Sequence, residues 1–179
     1  GFLGSHLCDR FLAAGHSVVG LDNFLTGHPD NIAHLMGHER FSFLRHNISD
    51  YTYVAGDLDG VLHFASPASP VDYLEMPIQT LKVGSLGTHN ALGIALGKRA
   101  RFLLASTSEV YGMCGDAEFD PYASELVLGP IDKQRWIYSC SKQLMDRVIW
   151  AYGSMGQLDF TLFRPFNWIG AGLDSIHTA

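Results

Sequence analysis

The sequence predicts an α/β fold built on a doubly wound parallel sheet. Two observations support it: short apolar runs recur along the chain, and segments with helical periodicity separate them. Strands that alternate with helices favour a parallel sheet with helices packed on its faces. The chain has 179 residues, of which 47% are hydrophobic, and this is enough for one domain with a substantial core.

Apolar runs bounded by turn residues define the predicted strands. "VVGLD" and "GVLHFAS" are apolar over most of their length, as expected of strands buried in a parallel sheet, whereas "FSFLRH" alternates. Pro165 closes the last run. The predicted strands span 18–22, 41–46, 60–66, 100–107 and 159–167.

Helical periodicity defines the elements between the strands. In the first helix Leu7, Phe11 and Leu12 recur at helical spacing, and Gly15 ends the pattern. The predicted helices span 4–17, 73–99 and 138–153, and a long irregular loop spans 112–136.

Composition excludes several classes of function. Net charge is -6, with 12 Lys and Arg against 18 Asp and Glu, so no basic stripe is present to bind nucleic acid. No apolar run reaches the roughly 18 residues of a membrane span, and the start is unlike a signal peptide. The three cysteines lack Cys-x-x-Cys spacing, which fits reduced thiols in the cytoplasm. His34 and His38 are four residues apart, but no third ligand follows at a usual spacing, so no metal site is predicted.

We expect the sequence to be a fragment of a longer protein. Gly1 already lies inside a motif, and the last residues, "GAGLDSIHTA", end without a helix or strand. The first strand and a C-terminal substrate region are therefore expected outside the sequence, and the chain alone is expected to lack activity.

The beginning of the chain predicts a dinucleotide site. Gly1 and Gly4 open a helix, a strand follows, and Asp22 ends that strand 18 residues after Gly4. Glycines let the backbone approach a pyrophosphate at a helix N-terminus, and an acid after the next strand accepts hydrogen bonds from ribose hydroxyls. Because an Asp repels a 2′-phosphate, NAD is favoured over NADP. The alternative is that the two glycines form only a tight turn.

Two further motifs predict catalytic chemistry. Thr107, Ser108 and Glu109 follow a strand directly, and ligands of doubly wound sheets bind at the carboxyl ends of strands. Tyr138 and Lys142 are four residues apart in a predicted helix and therefore share a face. An ammonium beside a phenol lowers its pKa from roughly 10, so Tyr138 is expected to act as a general base, with Thr107 bonded to the same substrate oxygen.

Together these motifs resemble the extended short-chain dehydrogenases/reductases of the NAD-dependent epimerase/dehydratase family. The resemblance is carried by "GFLGSHL", "LDNFLTG", "HFASPASP", "LASTSEVYG", "YSCSK" and "RPFN" and covers the whole chain. It implies a Rossmann-like NAD-binding domain over 1–179. Thr107-Ser108-Glu109 is similar to the decarboxylases of the family, whereas its 4,6-dehydratases have Thr-Asp-Glu. The first half is similar to UDP-xylose synthases, and the second to the decarboxylase domain of the bifunctional polymyxin-resistance enzymes, which serve aminoarabinose–lipid A synthesis.

The resemblance also implies roles for individual residues. Tyr138 would be the base for the C4 hydroxyl of UDP-glucuronate, Lys142 would orient it and bind the nicotinamide ribose, and Ser108 and Glu109 would act in decarboxylation. Asn47 stands where the family usually has an Asp that contacts adenine. The implied NAD-binding residues are Gly1, Phe2, Gly4, Asp22, Asn23, Asn47, Ile48, Ala65, Ala105, Tyr138 and Lys142. The implied substrate-binding residues are Ala68, Tyr73, Lys82, Asn90, Arg135 and Asn167.

Several alternatives stay open. The product could be UDP-xylose or the UDP-4-keto-pentose, and a formyltransferase domain could be fused outside the sequence. The chain could instead belong to a nucleotide-sugar 4-epimerase or 4,6-dehydratase, or to a non-catalytic NAD-binding module. The helices that form the core would also pair two subunits in this family, so we expect a homodimer or a higher homo-oligomer.

Overall fold

The computed structural model describes residues 1–173, so the last six residues of "GAGLDSIHTA" lie outside the described part. The first predicted helix is confirmed: Gly15, with φ +94°, follows its last turn. The helix predicted from 138 begins two residues earlier. Within the described residues, no helix is long and apolar enough to cross a membrane. The long α-helices are α1 (Phe2–Ala13), α5 (Thr88–Lys98) and α6 (Trp136–Ser154), and the short ones are α2 (Asp30–Ala33), α3 (Pro70–Glu75) and α4 (Pro77–Lys82).

All strand pairs are parallel, as the α/β prediction requires. In the first group β1 pairs with β2, and in the second β4 lies between β3 and β5. Within the described residues, no hydrogen-bonded ladder joins the two groups. The strands are β1 (Val18–Asp22), β2 (Phe41–Arg45), β3 (Gly60–His63), β4 (Arg101–Ala105) and β5 (Phe160–Phe163).

Only the central strand is buried along most of its length. Phe102 and Leu104 of β4 are completely buried. The prediction that β1 and β3 are buried strands is wrong for much of their length, since Val19 and Leu62 are 41% and 39% exposed. Both strands have a hydrogen-bonded neighbour on one side only within the described residues, and this leaves part of their apolar surface open.

The helix predicted at 73–99 is interrupted. Pro77 begins a new helix after Met76, whose backbone is non-helical, and a π-helical turn at Val83–Gly87 joins α4 to α5. Proline ends a preceding helix because it lacks an N–H and clashes with the turn before it. A Cβ on Gly84 would lie 2.5 Å from the Ser141 Cβ, so this glycine lets the π-turn pack closely on α6. The interruption therefore sets how the α4–α5 segment meets the helix that carries Tyr138.

The larger hydrophobic core lies between β4 and the helices α5 and α6. Leu92 of α5 and Met145 and Ile149 of α6 are buried against Phe102 and Leu104. Both helices pack on β4, and the Lys142 side chain of α6 reaches the carbonyl of its last residue, Ala105. The position of α6 is what brings the two predicted catalytic motifs of the sequence together.

Candidate active site

The two predicted catalytic motifs meet at the carboxyl end of β4. Thr107 follows the strand and caps a 3₁₀ turn at Ser108–Tyr111: its Oγ1 accepts a hydrogen bond from the Glu109 backbone N–H at 3.2 Å. The Thr107 oxygen thus accepts from the backbone of its own turn, while the hydroxyl proton remains able to donate a hydrogen bond. Lys142 of α6 donates from Nζ to the Ala105 carbonyl at 2.8 Å, which ties α6 to the last residue of β4.

Tyr138 lies in a closed aromatic environment. The residue is only 6% exposed, and its ring stacks on Tyr73 with the centroids 5.1 Å apart and the planes inclined by 2°. Burial raises the pKa of Tyr138 to about 12, a side-chain interaction with Thr107 lowers it, and the charges of Glu109 and Tyr73 raise it further. The phenol is therefore held protonated by the protein alone.

This finding corrects the prediction that Lys142 lowers the pKa of Tyr138. The Lys142 Nζ lies 5.7 Å from the centre of the Tyr138 ring and donates to a backbone carbonyl instead. Lys142 is itself buried, and burial lowers its pKa to about 8, although the carboxylate of Asp146 raises it. For Lys142 the loss of hydration thus lowers the pKa by more than the nearby carboxylate of Asp146 raises it.

A charged pair stands at the mouth of the site. Glu109 accepts a hydrogen bond from Arg135 Nη2 at 3.2 Å, and the Arg135 guanidinium lies over the Trp136 ring at 4.6 Å. Ser108 is half-buried beside them. The structure therefore brings the predicted residues Ser108, Glu109, Arg135 and Tyr73 to the side of the site where Tyr138 lies.

Other predicted substrate residues lie in less enclosed places. Ala68, Lys82 and Asn167 are exposed, and the structure gives none of their side chains a hydrogen bond within the described residues. Asn90 has a structural role instead, because its Nδ2 donates to the Ile48 and Asp50 carbonyls at 2.7 Å each. Its amide fastens the loop after β2 to α5.

Most of the predicted cofactor residues lie at the start of α1 and at the ends of β1, β2 and β3. The Gly1 nitrogen lies 2.5 Å from Asp22 Oδ2, and Asp22 Oδ1 accepts from the Phe24 N–H at 2.8 Å. Asn23 is exposed after β1, whereas Asn47 caps its own loop by accepting from the Ser49 N–H at 3.1 Å. Phe2 and Ala65 are half-buried, and Ile48 is buried. Asp22, Asn47 and Ala65 follow or end successive strands, as the predicted dinucleotide site requires.

Two buried ionisable residues near the site were not predicted from the sequence. His63 ends β3, and burial, together with the charge of Lys142, lowers its pKa to about 3. Asp146 lies one turn beyond Lys142 on α6 and pairs with Arg164 at 3.2 Å. The sequence offers one signal for this residue, which is the four-residue spacing between Lys142 and Asp146. Surface ion pairs on helices have the same spacing, so the signal cannot be interpreted until burial is known.

Comparison with known proteins identifies the family. Residues 1–178 match the sequence model of the NAD dependent epimerase/dehydratase family. The chain belongs to this family. The resemblance inferred from the motifs is thereby confirmed at the level of the family, together with its Rossmann-like fold.

Solved structures of the epimerase/dehydratase family agree. PbgP3 protein from Burkholderia pseudomallei is 42% identical, with 99% of this chain matching 53% of that one at a TM-score of 0.80. A UDP-galactose 4-epimerase is 28% identical, with 92% of this chain matching 52% of that one at a TM-score of 0.69. A dTDP-glucose 4,6-dehydratase from Streptomyces venezuelae, solved with NAD bound, is 24% identical over 96% of this chain and 55% of its own, and its TM-score of 0.79 shows the shared fold. The chain spans about half the length of these proteins.

The first turn of α1 fits the dinucleotide that defines the epimerase/dehydratase family. Among the described residues it has no side-chain cap and no acidic side chain, so its backbone N–H groups are free to bind an anion. Apart from its chain neighbours and the backbone of α1 itself, no described atom lies within 4 Å of a Cβ built on Gly4, and this leaves open space beside the turn. Asp22 stands beside the turn as an acceptor for ribose hydroxyls. These features support NAD as the cofactor.

Proposed function

We propose that this chain carries the NAD-binding and catalytic groups of an enzyme that oxidises UDP-glucuronate at C4 and decarboxylates it. The observation that supports this most directly is the group formed by Ser108, Glu109 and Arg135 beside Tyr138. It combines the residues of an acid/base centre with a serine and an arginine suited to an anionic sugar. The assignment of UDP-glucuronate depends on the resemblance of Thr107-Ser108-Glu109 to the decarboxylases of the family.

Oxidation at C4 uses the groups at the end of β4. Tyr138 takes the proton of the C4 hydroxyl, and the Thr107 hydroxyl hydrogen-bonds the same oxygen. Lys142, anchored on the Ala105 carbonyl at 2.8 Å, holds its ammonium below the phenol ring and orients it. When bound, NAD supplies the hydride acceptor and a positive charge near the phenol. This arrangement makes the deprotonation of Tyr138 depend on a loaded site, because burial keeps its pKa at about 12 in the protein alone.

Decarboxylation needs positioning more than additional chemistry. Oxidation turns C4 into a ketone that is β to the C5 carboxylate, and loss of CO₂ sends the bonding electrons toward that ketone. The chain then has to hold the carboxylate in line and donate hydrogen bonds to the developing enolate. Ser108 and Thr107 provide hydroxyl donors, and Glu109 provides a proton-transfer group.

Charge at the mouth of the site supports an acidic substrate. Arg135 is the cation nearest Glu109, with 3.2 Å between Nη2 and Oε2. A serine at position 108 adds no charge, whereas the Asp that dehydratases have there would repel a sugar carboxylate. Arg135 can exchange its contact with Glu109 for a contact with the substrate carboxylate.

A 4-epimerase is the second candidate. Tyr138, Thr107 and Lys142 are sufficient for oxidation and return of hydride at C4, and a solved UDP-galactose 4-epimerase is 28% identical to the chain. Epimerisation at C4 requires no chemical role for Ser108 or for the Arg135–Glu109 pair, and for this reason we favour the decarboxylase. A non-catalytic NAD-binding module is less well supported because both Tyr138 and Lys142 are present.

One experiment separates these functions. The full-length protein is incubated with NAD and either UDP-glucuronate or UDP-glucose, and NADH absorbance and CO₂ release are followed. CO₂ from UDP-glucuronate is expected, with NADH if the 4-keto-pentose is released and without NADH if UDP-xylose is formed. Conversion of UDP-glucose to UDP-galactose without activity on UDP-glucuronate would contradict the proposal.

A variant at position 108 tests the role of charge. Ser108→Asp is expected to reduce turnover of UDP-glucuronate by tenfold or more, whereas Ser108→Ala is expected to have a smaller effect. Equal loss in the two variants would show that repulsion of the carboxylate is not the reason for a serine here.

We further propose a cytoplasmic homo-oligomer, and size-exclusion chromatography with light scattering of the full-length protein tests its subunit number.

A further inference from the structure

A buried carboxylate lies one helical turn below Lys142. Asp146 is 4% exposed, and its Oδ1 has no hydrogen-bond partner within the described residues. Residues four apart on a helix are neighbours on one face, so the carboxylate and the ammonium face the same interior space. Burying a carboxylate costs free energy because desolvation disfavours its charge, so a partner of opposite charge has to offset that cost.

Arg164 binds this carboxylate through Oδ2. Its Nη2 and Nε lie 3.2 and 3.3 Å from Asp146 Oδ2, and its Nη1 donates to the Tyr111 hydroxyl at 3.0 Å and to the Pro121 carbonyl at 3.4 Å. Arg164 follows β5, and Tyr111 lies in the 3₁₀ turn that begins after Thr107. The network therefore connects α6 with the segments after β4 and β5, which also surround the candidate active site.

Several charged or ionisable groups face Lys142 and Asp146 from the neighbouring elements. His63 at the end of β3 lies close enough to Lys142 for the ammonium to oppose its protonation. Tyr138 lies above Lys142 on α6, and Arg164 and the Ser106 hydroxyl lie beside Asp146. Burial raises the pKa of Asp146, and both Ser106 and Arg164 lower it. Of these neighbours, Asp146 is the group that supplies negative charge to Lys142.

We propose that Asp146 is a positioning residue for the reaction, and that its carboxylate, anchored by Arg164, keeps Lys142 protonated beneath the Tyr138 phenol. Arg164 engages Oδ2, and the Ser106 hydroxyl lies beside the carboxylate, so both neighbours hold Asp146 in place one helical turn from Lys142. The inference rests on the proposed function for its catalytic consequence, but the electrostatic link between Asp146 and Lys142 is independent of the substrate.

The electrostatic link is tested without turnover. ¹³Cε-lysine is incorporated into the full-length protein, and the Lys142 signal is assigned from its loss in Lys142→Arg. In the wild type this signal is expected to titrate near pH 8, and in Asp146→Asn at least one pH unit lower. Asp159→Asn, which removes an exposed carboxylate paired with Arg101, is the matched control and should leave the signal unchanged. An unshifted titration in Asp146→Asn would overturn the proposal.

The catalytic consequence is tested by the pH profile of turnover with UDP-glucuronate and NAD. A one-unit decrease in the pKa of Lys142 predicts about a fivefold loss of kcat at pH 8 and little loss near pH 6. Asp146→Glu retains the charge and should recover part of the loss. A loss of equal size at every pH would indicate a structural role only and would contradict the proposal. If no variant or wild type acts on UDP-glucuronate, the proposed function fails, while the lysine titration still decides the link.

The wild type provides a test that does not require the variant to fold. If Asp146 acts on Lys142, the ¹³Cε signal of Lys142 should show a second, smaller inflection at acid pH as Asp146 protonates, and this inflection should persist in His63→Gln, which lacks the other acid-titrating neighbour of Lys142. If Asp146→Asn unfolds, as judged by circular dichroism, this inflection decides the matter, and its absence would overturn the proposal.

Discussion

The three-stranded half, made of β3, β4 and β5 with α6, differs from the two-stranded half, made of β1 and β2 with α1. The core of the three-stranded half includes side chains with 0–1% exposure, whereas the two-stranded half has a small cluster of Leu12, Ile32 and Leu35 at 5–8%. The buried polar groups Thr107, Lys142 and Asp146 all lie in the three-stranded half, whereas Asp22, Asn23 and Asn47, which are proposed to bind NAD, are half-buried or exposed in the other.

This difference indicates two ways of holding functional groups. In the three-stranded half the side chains proposed to be catalytic are fixed by close packing and by bonds to buried backbone, and this packing also shifts their pKa values. In the two-stranded half Asp22 and Asn47 accept hydrogen bonds from backbone nitrogens at strand ends and are less enclosed by packing. Substitutions should therefore change stability and chemistry together in the first half and mainly cofactor affinity in the second.

The largest effect is expected for Tyr138→Phe. Loss of the general base should lower kcat with UDP-glucuronate by 10²–10⁴-fold. Tyr122→Phe is the matched control, since Tyr122 is 99% exposed. Both variants should unfold at nearly the wild-type temperature in differential scanning calorimetry. Near-normal turnover of Tyr138→Phe would remove the basis of the proposed site.

A pair of leucines compares the two cores directly. Leu104→Ala in the larger core is expected to lower the free energy of unfolding by an amount near the top of the usual range of about 2–5 kcal/mol, and Leu12→Ala in the smaller cluster by an amount near the bottom. The smaller cluster can collapse more easily around the cavity. Urea denaturation of the two variants measures the difference, and equal losses would show that the two halves are packed alike.

Asp22→Asn tests the surface half through its affinity for NAD. Loss of charged acceptors for the ribose hydroxyls should raise the Kd for NAD by about 10- to 100-fold, corresponding to roughly 1.5–3 kcal/mol. Asp30→Asn is the control in the same half, because among the described residues the Asp30 carboxylate pairs only with exposed His28. Isothermal titration calorimetry with the full-length protein gives both constants. A change confined to the melting temperature would assign Asp22 a structural role.

The smallest effect concerns the pH dependence of stability. The pKa of His63 is about 3 in the folded protein and 6.5 in the unfolded chain, so the unfolded chain binds more protons between these values. Stability should therefore fall as the pH drops through this window, by up to about 1.4 kcal/mol per unit from this one group. The urea midpoints measured at pH 7 and at pH 5 should lie closer together in His63→Gln than in the wild type. In His28→Gln the two midpoints should stay as far apart as in the wild type. An unchanged slope in His63→Gln would show that the histidine is hydrated.

The sequence by itself determined the element order and the family. Periodicity predicted the strands and the long helices, and the motifs around Asp22, Thr107 and Tyr138 predicted where functional side chains follow strands. These features are local, because spacing along a helix or strand decides which residues share a face.

Only the tertiary structure decided the electrostatics and the packing around these motifs. The pKa of Tyr138 moved opposite to the prediction because desolvation, which depends on the packing of α6, outweighed the lowering by the Thr107 hydroxyl, while Lys142 donates to the Ala105 carbonyl. The exposure of β1 and β3, the break in the helix at 73–99 and the buried Asp146–Arg164 pair likewise depend on neighbours that are distant in sequence. Burial is a property of the assembled layers, and no single segment of the chain encodes it.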